Sequence, residues 1–80
     1  MKARVYVTLK KSVFDPQGKT IHDALGSLGY ASVAAVRQGK FFELEFEGLS
    51  ADKAREAADD IARRVLANPV IESYRVEIEG

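Results

Sequence analysis

The sequence predicts an α+β two-layer sandwich, an antiparallel sheet with two helices on one face in the order β-α-β(β)-α-β. Three observations predict it. Apolar and polar side chains alternate over residues 2–10, 42–46 and 71–79, which is the period of a strand with one buried face. Ile21, Ala24, Leu25 and Leu28 recur at i, i+3, i+4 and i+7, the spacing of one face of a helix. A longer stripe of Ala54, Ala57, Ala58, Ile61, Ala62, Val65 and Leu66 repeats that spacing near the other end.

In the first strand Ala3, Val5, Val7 and Leu9 point one way, and Lys2, Arg4, Tyr6, Thr8 and Lys10 the other. Asp15-Pro16-Gln17-Gly18 then has the residues a type I turn favours, and it launches the first helix. Gly29 suits the left-handed conformation that ends that helix. Between Ser32 and Gly39 the pattern is irregular, and two arrangements fit. Either Gln38-Gly39 is a hairpin turn between two short strands, or Gly39 is a bend in one long strand. Beyond Gly39, Phe42, Leu44 and Phe46 face inward, and Phe41, Glu43, Glu45 and Glu47 outward. Ser50 is a good N-cap for the second helix, whose polar face offers Arg55–Asp59, Asp59–Arg63 and Asp60–Arg64 pairs at i, i+4. Asn68-Pro69 stops it, because a residue before proline is pushed out of the helical region. In the last strand Tyr74, Val76 and Ile78 point inward, and Ser73, Arg75, Glu77 and Glu79 outward.

Residues 1–80 have room for one domain, and a fold this small hides only about 60–65% of the surface its unfolded chain exposes. A self-contained enzyme with a deep pocket is not expected. The chain has no Cys, so disulfides, thiolate metal sites and cysteine nucleophiles are excluded. Residues 1–11 have no apolar stretch of the length a secretory signal needs and no apolar run approaches a membrane span, so a cytoplasmic address is the expectation. Net charge is zero, yet it is divided unevenly. Residues 1–40 carry seven bases and two acids (+5), and residues 41–80 carry five bases and ten acids (−5). If the first strand lies beside the Phe42 strand, this asymmetry becomes cross-strand attraction.

The chemical signals point away from catalysis. Gly18-Lys19-Thr20 opens a helix as the end of a phosphate loop does, but Val13 stands where that loop needs its first glycine. Asp15-Pro16 moreover puts an acid and a rigid backbone where amides should wrap phosphate. His22, the only histidine, borders the apolar stripe as a helix residue would, and one His with scattered carboxylates makes no metal site. Glu43, Glu45 and Glu47 read as an ion-paired strand face. Those same acids oppose a nucleic-acid role for the neighbouring Phe41 and Tyr6. No catalytic, cofactor-binding or metal-ligating residue is assigned. Aromatic residues among paired charges on an open sheet face suit a protein interface.

The pattern as a whole resembles a known family. Val5-Tyr6-Val7-Thr8-Leu9-Lys10, Asp15-Pro16-Gln17-Gly18 with Ala24-Leu25 and Leu28-Gly29-Tyr30, Arg37-Gln38-Gly39-Lys40-Phe41-Phe42-Glu43-Leu44, and Ala67-Asn68-Pro69-Val70-Ile71-Glu72 with Tyr74 together resemble the PurS family. This is the small subunit of the multi-subunit phosphoribosylformylglycinamidine synthase, also called formylglycinamide ribonucleotide amidotransferase. The resemblance implies a non-catalytic assembly subunit in de novo purine biosynthesis. Such a subunit bridges a glutaminase subunit and a large synthetase subunit and assists ammonia transfer between them. It implies that ATP and Mg are used by the complex rather than by this chain, with no nucleic-acid or membrane partner. It further implies a segment-swapped homodimer, with assembly into tetramers left open, in which the second helix and last strand pack on the partner. That exchange favours one long strand through Gly39. Lys10, Lys11, Asp15, Arg37, Lys40, Asn68, Tyr74 and Arg75, polar or amphipathic groups in or beside the matching motifs, are the candidate partner-interface residues. The competing reading is a small ferredoxin-like regulatory module that binds a metabolite at a dimer interface.

Overall fold

β1 (Lys2–Leu9) is the middle strand of a three-stranded sheet, with β2 (Gly39–Glu45) on one side and β3 (Glu72–Glu79) on the other, both antiparallel to it. The structure is a computed structural model that describes residues 1–79. The first strand holds the centre because its inward residues are small and β-branched. Ala3, Val5 and Val7 are fully buried, which stabilises the fold by about 1.5–3 kcal/mol for each valine. α2 (Ala51–Ile61) covers this face, lying over β1 and β3. Its contact row is Ala54 and Ala58, continued by Ala62 just past its end, all fully buried, and residues this small bring the helix axis close to the sheet.

The N-cap is as expected, with the Ser50 hydroxyl accepting from Lys53 N at 3.3 Å. The helix then widens into a π-helical segment, Ala62–Leu66, closed by a hydrogen bond from Ala67 N to Ala62 O at 2.9 Å. Val65, expected on the buried stripe, stands exposed in this segment, while Leu66 and Ala67 join the core cluster around Val5 and Val7. Only one of the three expected i, i+4 pairs forms. Asp60 takes both Arg64 (2.9 Å) and Arg63 (2.7 Å), Asp59 accepts instead from the Tyr74 hydroxyl at 2.8 Å, and Arg55 turns to Val76 O at 3.4 Å. The strand edge beside the helix competes for these side chains and wins.

The α+β class, the antiparallel sheet and the two helices are as expected, but α1 (Pro16–Ser27) is placed differently. It makes no substantial contact with any strand or with α2. Instead it runs off the end of the sheet, and the molecule measures 50 × 26 × 13 Å. The radius of gyration is 15.9 Å, against about 12 Å for a compact domain of this length. Only Gly18 of this helix is buried, and its apolar stripe is open, with Ile21 40% and Leu28 73% exposed. Asp15-Pro16-Gln17-Gly18 is not a separate turn but the N-cap and first turn of α1, with proline at N1. At the other end Gly29 has φ +99°, the left-handed residue expected there.

Neither arrangement around Gly39 is seen. Residues 33–38 form no strand, and Gly39 is the first residue of β2, paired with Thr8. Glycine is required by space, since a Cβ there would lie 2.4 Å from Val7 O. In the chain taken alone, α2 and β3, the elements assigned to the exchange, pack on their own β1. The element without a tertiary partner is α1.

Candidate functional site

The residues singled out in the sequence converge chiefly where the sheet meets α1. At this end β1 leaves the sheet, and β2 and β3 enter it. Asp15 is the hub: one carboxylate oxygen accepts from Gly18 N at 2.8 Å and the other from Gln38 N at 2.9 Å. The amides of Gln38 and Gly18, with Arg37 nearby, hold its carboxyl below the usual carboxylate range. The Arg37 guanidinium donates to Leu9 O, the last carbonyl of β1.

On the β3 side Glu72 accepts from Asn68 N at 2.7 Å and pairs with Lys40 at 3.4 Å. The Asn68 amide, and Lys40 after it, keep the Glu72 carboxyl ionised below its ordinary range. The Asn68 side chain accepts from Val70 N at 3.0 Å, shaping the turn that Pro69 imposes. Lys10 N donates to Ile71 O at 2.8 Å and ties β1 to the same turn. Between these groups lies a cavity of about 220 Å³, lined in part by Asp15, Gln17, Gln38, Lys40 and Glu72. Lys11 lines a neighbouring groove with Phe14, His22 and Arg37.

Six of the eight candidates, Lys10, Lys11, Asp15, Arg37, Lys40 and Asn68, thus lie at this junction or its border. Tyr74 and Arg75 do not. Tyr74 turns towards α2, and its hydrogen bond to Asp59 pushes the phenol up. Arg75 lies on the opposite sheet face, its guanidinium 4.3 Å from the centre of the Tyr6 ring. Tyr6 also meets Phe41 at 5.1 Å between ring centroids. The rest of that face is a charge ladder in which Lys2 pairs with Glu43 at 3.4 Å and Arg4 with Glu79. The basic first half and acidic second half therefore attract across strands, inside one chain.

Glu72 and Gly18 were missing from the candidates. The signal for Glu72 was its place after Pro69 at the mouth of a strand. Gly18 was read as a turn residue, but the crowding that demands glycine there carried no signal, because Val36 lies far along the chain. The chemistry available is that of holding. The carboxylates of the junction are engaged by backbone amides and lysine, and among the described residues no three His, Cys, Asp or Glu converge as a metal centre needs. His22 is bound locally, its Nε2 2.8 Å from Val33 O.

A thin α+β sheet with one uncovered helix, an open face of aromatics and paired charges, and a junction made for holding defines a protein-association module. Comparison with known proteins gives the particular kind. The PurS family model, described as phosphoribosylformylglycinamidine (FGAM) synthase, matches residues 2–80. The chain is 45% identical over 78 residues to the phosphoribosylformylglycinamidine synthase subunit PurS of Bacillus subtilis, covering 98% of this chain and 92% of that one. It is 38% identical over 78 residues to the subunit of that name from Methanocaldococcus jannaschii, covering 98% and 94%. The crystal structure of M. jannaschii PurS, one of the subunits of formylglycinamide ribonucleotide amidotransferase in the purine biosynthetic pathway, superposes with a TM-score of 0.87 at 37% identity, covering 98% and 94%. A chain in the structure of PurLQS from Thermotoga maritima gives 0.86 at 34% identity, covering 95% and 93%. The chain belongs to the PurS family. Nothing in these comparisons supports the metabolite-binding alternative.

Proposed function

We propose that this chain is the PurS subunit of a phosphoribosylformylglycinamidine synthase and works as a single-domain assembly part of that complex. The observation that carries the reading is the family match over residues 2–80. A relative in the structure of PurLQS from Thermotoga maritima supports membership of such a complex, whose other members we read as a glutaminase and a large synthetase. The reaction is the ATP- and Mg-dependent conversion of formylglycinamide ribonucleotide and glutamine to formylglycinamidine ribonucleotide, in the cytoplasm. Ammonia released from glutamine is mostly protonated at neutral pH and lost by diffusion. A subunit that holds two active sites in register raises its effective concentration at the second. The expected outcome is that purified glutaminase and synthetase make product from glutamine only when this chain is added. Full glutamine-dependent activity without it would sink the reading.

The homodimer is part of the same proposal, with α1 rather than α2 and β3 as the element a second copy covers. The accessible surface is 5705 Å², roughly 900 Å² above the ~4800 Å² of a compact monomer of this size. A stable interface takes about 800 Å² from each partner. Phe14, Ile21, Leu28 and Tyr30 supply exposed apolar area on and beside α1. Phe42 and Leu44, half-buried on the part of the sheet that α2 leaves open, supply a matching receptor. Lys10 and Lys11, which make no ion pair among the described residues, are the junction groups most available to the other subunits. Light scattering of the isolated chain at micromolar concentration should give the mass of a dimer or larger.

A further inference from the structure

Asp15 carries more than a helix cap. Its carboxylate holds two backbone amides, Gly18 N and Gln38 N, that are twenty residues apart in sequence. One amide opens α1 and the other is the last residue before β2, so both ends of the segment 15–38 are fastened at one side chain. Two further contacts close the segment along its length. His22 Nε2 meets Val33 O at 2.8 Å, and the backbone of Val36 lies so near the first turn of α1 that a Cβ on Gly18 would stand 2.3 Å from Val36 O. Arg37, donating to Leu9 O, fixes the base to the end of β1.

An arm closed at its base moves as one body. An arm open there would be a flexible loop whose ordering opposes any association. We propose that Asp15 is the positioning residue of this protein: its two hydrogen bonds preset the direction in which α1 leaves the sheet, and so prepare the arm for the second copy that covers it. The role rests on the dimer reading above. It needs glycine at position 18 as much as the acid, since a side chain there would push the returning backbone off the helix.

The test compares the wild type with Asp15→Ala and Asp15→Asn, by sedimentation equilibrium and by amide exchange followed residue by residue. In Asp15→Ala, exchange at Gly18 and Gln38 should accelerate about tenfold or more while the β1 amides of Val5 and Val7 stay as protected as before. The dimer dissociation constant should rise roughly tenfold. Asp15→Asn should release one of the two amides, because its carboxamide presents an N–H where the carboxylate has an oxygen, and should show a smaller rise. If Asp15→Ala loses protection at Val5 and Val7, Asp15→Asn decides by the same criteria. Unchanged exchange at Gln38 would overturn the proposal, as would accelerated exchange with wild-type dimerisation. A wild type that is monomeric at high micromolar concentration would overturn the dimer reading itself, and the role of Asp15 with it.

Discussion

The body of the molecule, β1, β2, β3 and α2, and the arm, residues 15–38, are built from similar fractions of apolar residues and end in opposite states. In the body Ala3, Val5 and Val7 of β1 and the alanine row of the second helix are fully buried. In the arm Ile21 and Leu28 keep helical spacing equally well and stay open to solvent. Periodicity creates an apolar face, and whether that face is covered by the same chain depends on where the connections let it lie. The arm is held by polar contacts, those of Asp15, His22 and Arg37, and the body by packing. Polar fastening sets direction at little gain in stability. Packing supplies stability and leaves direction to the sheet.

Mutations should separate the two. The largest effect belongs to the body: Val7→Asp places an unpaired charge in a fully buried site, at a cost of about 4 kcal/mol or more. Much of a small domain's total stability would go, and urea unfolding should show no cooperative transition at 25 °C. Gly39→Ala acts on the seam between arm and body. Its Cβ would be 2.4 Å from Val7 O, so β2 must shift where it starts, costing about 1–3 kcal/mol in thermal unfolding.

Acid should loosen the seam next. Asp15 and Glu72 are both held below their ordinary range, so the unfolded chain takes up protons first as pH falls. Their contribution is complete above the unfolded values near 4 and is lost as pH drops through the lowered folded ones. The melting temperature should thus be flat between about pH 5 and 8 and decline below about pH 4. Smallest in unfolding is Leu28→Ala, within about 0.5 kcal/mol of wild type when measured on the dissociated chain at high dilution, because the side chain is there 73% exposed. The same substitution should weaken the dimer measurably by light scattering on dilution. A large loss of stability from Leu28→Ala would erase the distinction between arm and body.

Much of the body was legible in the sequence. Alternation placed β1, β2 and β3, and Ser50 and Asn68-Pro69 bounded the second helix. The half-to-half charge imbalance became the Lys2–Glu43 and Arg4–Glu79 pairs because β1 lies between the two acidic strands. The register that joins Tyr6, Phe41 and Arg75 was not legible, since it depends on strand order. Asp15 was seen as a turn residue and an interface candidate. Its second partner, Gln38, is invisible to any local pattern, as is the crowding that demands glycine at 18 and 39. Val65 was misplaced because a π-helical segment rotates the stripe, and nothing in Ala62–Leu66 announces one. The position of α1 escaped for a deeper reason: an amphipathic helix states that it needs cover and is silent on which chain provides it.

The central place of β1 has a consequence in time. The strand made first is the one on which both others pair, and β3, with the residues that complete the core around Val5, is made last. During synthesis α1 and the β1–β2 pair have their partners early, whereas the β1–β3 pair waits until residues 72–79 have emerged. Pairing β3 with β1 joins residues far apart in sequence, a non-local step of the kind that slows folding. Substitutions in β3 should slow folding more than equally destabilising ones in α1.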